Sequence, residues 1–507
     1  MKFINCLNNK KYFILFLIFG LLIFFLKAFQ TRFDLLFGGY DNLYSNYILE
    51  HGYLFLKGVH NLFYGAPFNY PDLHSSAQSD VLMGLIPLYS AIRLFVQNPY
   101  SAYQILFILL CIINYVGFYY LLNCFKLKPL ACAFGSFIFA FSTLRYFNFY
   151  DISSFSQFFT IISIIFITKV KKENKSIANH LYFSGASIFL LIQFYTSFAL
   201  GFFAIFILIL GTILSLLPKN SRDIIVDYFK NFYKYILFYA LAVVLLLLPM
   251  AYQFSCIEYF TPLSTILGSI TSFSVWYRSL SVLDNIFYFN LDFIGYKAHL
   301  SSMSLGIFTT LAVLWGLYKA PKLKGLLLTF VFIFFISSTT LAIYFWNTFY
   351  YFLFGIESLE SINAIAFISL IIAGFALALF VQNTSNKAVL IIVLLILSLE
   401  QISYNTDKNS LMKNYFISKK DFIQQVDSIK TNQDYIYVVA KPKNKEQFGE
   451  NDNKIKDETA RKIAALSAMW AGLKLNKPTI NNYFEKSKPK TLKNAEPLDL
   501  IVDYNQI

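Results

Sequence analysis

Charge is what this chain has least of. Asp, Glu, Lys and Arg make up 14% of its 507 residues, where a soluble domain carries about a quarter. So few charges cannot clothe a soluble globule of this length. Cysteine is sparse too. Cys6, Cys111, Cys124, Cys132 and Cys256 include no C-x-x-C pair, which argues against a disulfide framework or a thiolate zinc site and leaves them as small packing residues. His51, His60 and His74 share one stretch without the H-E-x-x-H spacing of a metal site. They read as exposed polar residues, and metal dependence stays open. The chain has no internal repeat and no low-complexity segment, which leaves out solenoids and collagen-like chains. Its formal net charge of +14 comes without an aromatic-basic module, so nucleic acid is not an expected partner.

What is abundant is apolar surface. The chain is 57% hydrophobic and 19% aromatic, with 58 phenylalanines, and its apolar residues fall in runs of about 17 to 22, long enough to cross a bilayer as helix. The fold class expected is an α-helical polytopic membrane protein. The spans read from these runs are Tyr12–Phe29, Tyr100–Cys124, Leu130–Phe147, Ser153–Val170, Ala178–Phe194, Ser197–Leu217, Tyr235–Tyr252, Ser302–Tyr318, Gly325–Leu341, Ile362–Gln382 and Ala388–Ser403, about eleven crossings. Lys2, Lys10 and Lys11 precede the first run, and Gln30-Thr31-Arg32 after it lacks a cleavage pattern. It therefore reads as a retained anchor with a cytoplasmic N-terminus.

Val81–Gln97 is apolar but carries Pro87 and Arg93. If it crossed, the lysine-rich loops Lys126–Lys128 and Lys169–Lys175 would lie outside, against the positive-inside rule. It is expected to be an interfacial or re-entrant helix. Residues 1–403 then form the membrane domain, with a large outer loop over 31–97. Residues 404–507 form a small extracytoplasmic α/β domain, with a helical pattern at Lys419–Lys430, a strand at Tyr435–Val439, a longer helical pattern at Lys454–Leu475 and a second strand at Leu498–Val502. The localisation expected is the cell (inner) membrane.

The stretch after the first span is Phe37-Gly-Gly-Tyr-Asp41-Asn-Leu-Tyr44, running on to Gly52. Gly38 and Gly39 permit a tight turn, a short helix follows, and Gly52 can end it. Asp41 is thereby held at the mouth of a membrane domain beside Tyr44. This resembles the first extracytoplasmic loop of the GT-C superfamily of integral-membrane glycosyltransferases, in which an acidic pair is followed by Tyr and then by Gly. Asn42 stands where the second acid is usual. The tail resembles a divergent bacterial branch of the same superfamily, in Ala468-Met-Trp-Ala-Gly472, Lys477-Pro-Thr-Ile-Asn-Asn-Tyr483 and Lys488-Pro489. Gly355–Asn363 lacks the arginine usual there. The resemblance implies transfer of a sugar from a polyprenyl-phosphate donor to a lipid- or glycan-type acceptor at the outer face, with membrane lipids as further partners and no cofactor assigned.

Such a transfer needs a carboxylate to take the acceptor's proton and cations to hold the carrier phosphate. Asp41 is the favoured base, and its other reading is a helix N-cap. Asp80, after Ser79 and Asn69-Tyr70-Pro71, is either a second acid or the cap of the Val81 helix. Asp151 opens the next outward turn and has the same two readings. Arg93, Arg145 and Arg278 are each either a phosphate contact or a cation snorkelling to the interface. Tyr44 is the aromatic partner of Asp41. Glu400, near the end of the last span, is an intramembrane acid within reach of the interface. The rival reading is a non-enzymatic transporter or flippase for a lipid-linked saccharide, which should show repeat symmetry and interrupted helices at mid-membrane.

Overall fold

The computed structural model describes residues 10–37, 39–61, 66–69, 80–147, 149, 151–173, 176–255, 305–338, 340–349, 364–401, 416–443, 450–481 and 498–503. Helices dominate them. The chain enters through α1 (Lys10–Phe24) and α2 (Leu26–Gln30), forms β1 (Leu35–Phe37), and continues as α3 (Gly39–Leu56). The first loop returns through a 3-10 turn (Met83–Leu85) and α4 (Ile86–Arg93). There follow α5 (Pro99–Cys124), α6 (Pro129–Phe141), α7 (Thr143–Phe147), a 3-10 helix (Ile152–Gln157), α8 (Phe158–Thr168), α9 (Ser176–Thr196), α10 (Phe198–Ser215) and α11 (Lys219–Ser255). Next come α12 (Ile307–Tyr318), α13 (Lys324–Ser338), α14 (Thr340–Phe349), α15 (Ala364–Asn383) and α16 (Lys387–Glu400). The tail adds β2 (Phe416–Ser418), α17 (Lys419–Ser428), β3 (Val438–Lys443), α18 (Glu450–Leu475) and β4 (Leu498–Asp503).

Local chemistry sets several of these boundaries. Asn98 accepts hydrogen bonds from the Tyr100 and Ser101 amides at 3.0 and 3.1 Å, ahead of Pro99. That is the side-chain cap followed by a proline that starts a helix well. Asn386 caps α16 in the same way. The break expected at Tyr195-Thr196 falls at Ser197, between α9 and α10. Gly52 is a correction. It does not end α3 but sits inside it, where a Cβ would come within 2.4 Å of Ile86 Cδ1. Its lack of a side chain lets α3 lie close on α4.

Five helices among the described residues are long and apolar enough to cross a membrane: α5, α9, α10, α11 (over Lys219–Gln253) and α15. The bent pair Phe308–Tyr318 and Pro321–Ser337, meeting at 104°, makes a sixth if counted as one span. Other runs expected to cross are shorter helices, such as α1 over Lys11–Phe24. α4 has eight residues, about 12 Å of helix against a hydrocarbon layer of about 30 Å, and does not cross. At the core, α6 packs between α1, α5 and α15. There Gly135 and Gly374 let two backbones approach, since a Cβ on Gly135 would stand 2.6 Å from Gly374 O.

Glu400 and Gln401 join three elements. Glu400 accepts from the Phe308 and Thr309 amides at 3.0 and 2.7 Å and so caps α12 from another helix. Gln401 Oε1 accepts from the Thr143 amide and hydroxyl, both at 3.1 Å, while its Nε2 donates to Leu305 O at 2.8 Å. The acid at the end of α16 is therefore a buried cap.

The tail is tied to the first loop. β1 and β2 pair antiparallel, Leu35 opposite Ser418 and Phe37 opposite Phe416. β3 and β4 pair in parallel, Val438 opposite Leu498. Leu43, Tyr44, Tyr47 and Ile48 of α3 share one apolar cluster with Phe422, Met469 and Trp470 of the tail. Trp470 Nε1 donates to Leu43 O at 3.3 Å, and its ring lies 4.7 Å from that of Tyr100. The loop is pinned further where the Thr479 amide donates to Pro67 O at 2.9 Å and the Asn69 amide to Asn481 O at 3.1 Å.

Candidate active site

The three carboxylates read from separate stretches come together. Asp41 lies in the first turn of α3 and is exposed. Gly39, at φ 65°, makes the turn that starts the helix, and the helix dipole favours an acid there. Asp151 accepts from the Ser153 amide at 2.9 Å and so caps the 3-10 helix that follows it. Asp80 does not cap its own helix, which is a correction to that reading. Leu82, in the left-handed region at φ 54°, precedes the 3-10 turn instead. Asp80 Oδ1 accepts from the Phe198 amide at 3.1 Å, at the start of α10.

Electrostatics tie the three acids to one another. Burial pushes the Asp151 carboxyl up to about 7, the charges of Asp80 and Asp41 push the same way, and hydrogen bonds from Ser153 oppose them. Asp80 is also raised by burial, against hydrogen bonds from Ser197, Ser153 and the Phe198 amide. Ser153 thus serves both half-buried acids. Asp41 and Asp151 both act on the Tyr103 hydroxyl. That hydroxyl donates to Asn42 Oδ1 at 2.6 Å, and Asn42 Nδ2 donates to Phe149 O at 2.8 Å. Asn42 is a buried bridge between α3, α5 and the Asp151 turn. The arrangement offers one solvent-facing carboxylate backed by two half-buried ones, of which Asp151 changes charge near neutral pH.

The expected cations are placed differently, and two of them are corrections. Arg93 forms a bidentate pair with Glu50, Nε to Oε2 at 2.8 Å and Nη2 to Oε1 at 2.9 Å, and its Nη1 donates to Val96 O and Gln97 O. Tyr89 adds a hydrogen bond to Glu50 Oε2 at 2.7 Å. Arg145 is fully buried. Its guanidinium donates to Phe139 O at 2.6 Å, to Ser154 O at 2.8 Å and to Gln157 Oε1. Both side chains are committed to protein acceptors and offer no open fork to a phosphate. Arg93 locks α4 to α3, and Arg145 braces the 3-10 helix that Asp151 caps. Arg278 and the stretch Gly355–Asn363 lie outside the described residues, as do His74 and Lys488-Pro489.

Tyr44 is buried, one turn from Asp41, with its ring 5.9 Å from Phe68. It faces the tail cluster more than the open side of the helix. His51 and His60 are not the exposed residues expected. His51 is buried, and the two Nδ1 atoms stand 2.6 Å apart, one ring nitrogen donating to the other. No group of three His, Cys, Asp or Glu among the described residues could hold a metal ion. Ser153, Ser197 and Tyr103 were missed in the sequence, and Asn42 was noted there only for its place beside Asp41. Only Ser153, two residues after Asp151, had a local signal, because a serine there suits a capped turn. No family model matches the chain, and neither a curated protein nor a solved structure matches it.

Proposed function

We propose that the protein is a membrane glycosyltransferase of GT-C type, moving a sugar from a polyprenyl-phosphate carrier to an acceptor hydroxyl at the extracytoplasmic face. The observation that carries this reading is the meeting of Asp41, Asp80 and Asp151 at one place, with Asp41 exposed and the other two half-buried. Asp41 takes the proton of the acceptor hydroxyl. The acceptor oxygen then attacks the anomeric carbon, and the bond from that carbon to the phosphate oxygen breaks, so polyprenyl phosphate leaves with the electron pair. Asp80 and Asp151 keep the negative potential of the site under control, because the pair holds a proton near neutral pH.

Two further features support the reading. The acid site lies at the Pro99 end of α5 and the Lys126–Lys128 turn at its other end. α5 has 26 residues, about 39 Å of helix. Acids on one face and lysines on the other support a cytoplasmic N-terminus and an outer site, and with them an extracytoplasmic tail. The tail's Trp470 and Thr479 sit on the loop that carries Asp41, which suits a tail that helps to seat the acceptor.

The test is Asp41→Asn. Asn caps a helix as well as Asp does, so the fold and carrier binding should persist. Turnover should fall roughly a hundredfold or more, the usual scale for a lost general base. Near wild-type transfer by a well-expressed Asp41→Asn protein would remove Asp41 as the base.

A further inference from the structure

The lysines that separate the apolar runs are far apart in sequence and gather at one end of the molecule. Lys169 Nζ lies 5.9 Å from the centre of the Tyr120 ring. The turn after α8 therefore sits beside the end of α5 and the Lys126–Lys128 turn. The Lys128 amide donates to Gln382 Oε1 at 2.8 Å, close to Lys387 in the chain. Val170 shares an apolar cluster with Phe183 of α9 and Phe232 of α11. At the start of α11, Ser221 Oγ donates to Lys322 O at 3.1 Å. Among the described residues, the carboxylates on these turns and on the first part of α11 are Glu173, Asp223 and Asp227, and the surface stays strongly positive.

α11 extends this surface. It has 37 residues, about 55 Å of helix, against a hydrocarbon layer of about 30 Å. Its apolar part begins near Tyr235, so Lys219–Lys234 reaches beyond the hydrocarbon. Tyr228 and Phe232 turn inward to the α9 cluster. Ile224, Phe229 and Tyr233 remain 51%, 42% and 51% exposed, beside the exposed Arg222, Lys230 and Lys234. Aromatic rings mixed with cations on an exposed face match the headgroup layer, where rings seat at the interface and ammonium groups reach phosphates.

We propose that this end of the molecule binds anionic phospholipid headgroups, with the Lys171-Lys172 turn and Lys230 and Lys234 of α11 as its main contacts. The inference does not depend on the catalytic reading. The probe is short-chain dihexanoyl phosphatidylglycerol, titrated into the full-length protein in neutral detergent, with the midpoint of thermal unfolding as readout. Dihexanoyl phosphatidylcholine and inorganic phosphate serve as separate arms. Phosphatidylglycerol should raise the midpoint, and the other two should leave it unchanged. The exposed-site variant K171Q/K172Q/K230Q/K234Q should need at least tenfold more phosphatidylglycerol for the same rise, since one lysine near an anionic surface is worth about fivefold in affinity. K420Q/K430Q, with two exposed tail lysines removed, should respond like the unaltered protein. Equal stabilisation by phosphatidylcholine or by inorganic phosphate, or an equal loss in the tail variant, would overturn the proposal.

Discussion

Replacing Asp151 by Asn tests the acid site without an enzyme assay. The Asp151 carboxyl stands at about 7 in the fold, chiefly through burial and then through the charge of Asp80; in an unfolded chain an Asp titrates near 3.9. The folded state thus holds the proton over a window where the unfolded state has lost it. The stability that goes with it is fully present below about pH 4 and is lost as pH rises through about 7. That difference corresponds to about 4 kcal/mol at full expression. Asp151 keeps part of its surface open, and solvent screening brings the expected effect to about 2 kcal/mol. Asn keeps the cap on the Ser153 amide but cannot ionise. The assay is the apparent unfolding midpoint in detergent at one fixed scan rate, because such unfolding is often irreversible. Between about pH 5 and about pH 7, an interval of about two units inside the transition, the midpoint of the unaltered protein should fall by a few degrees relative to Asp151→Asn. Asp80→Asn should move that transition to lower pH, because it removes a neighbouring negative charge. Parallel pH curves for the unaltered protein and Asp151→Asn would refute the argument.

Other residues give further tests. Arg93→Gln leaves the buried Glu50 carboxylate without its partner and should cost about 3 to 5 kcal/mol, Glu50→Gln leaves a half-buried guanidinium and should cost less, and the double substitution should cost less than Arg93→Gln alone; a thermal double-mutant cycle measures the difference. Trp470→Ala should cost about 3 to 5 kcal/mol by opening the cluster between α3 and α18, and limited proteolysis should then cut the tail faster, with an unchanged cutting rate counting against the shared core. A cysteine placed at Asn174 should be labelled only from the cytoplasm and one at Asn451 only from outside. Labelling of both from one side would contradict the proposed orientation.

Much of the membrane architecture was legible in the sequence, because a run of apolar residues long enough to span a bilayer is a local property. The helices α5, α9, α10, α11 and α15 were all marked by such runs. The loop acids Asp41, Asp80 and Asp151 could also be picked out as candidates, since carboxylates are few and each stands next to an apolar run. Partnership was not legible. Asp80 looks like the cap of the helix after it, yet a carboxylate bonds to whichever amide the fold brings near, here that of Phe198. Arg93 and Arg145 look like interfacial cations, but their acceptors come from Glu50 and from backbone carbonyls that no local pattern ties to them. His51 and His60 share the same limit, as does Glu400, whose amide partners lie on α12. Sequence by itself decided which segments are apolar helices and where the acids lie along the chain, through hydropathy and capping. Only the tertiary structure decided which acids meet, which cations are already spent and that the tail roofs the first loop, because those depend on contacts between residues tens to hundreds of positions apart.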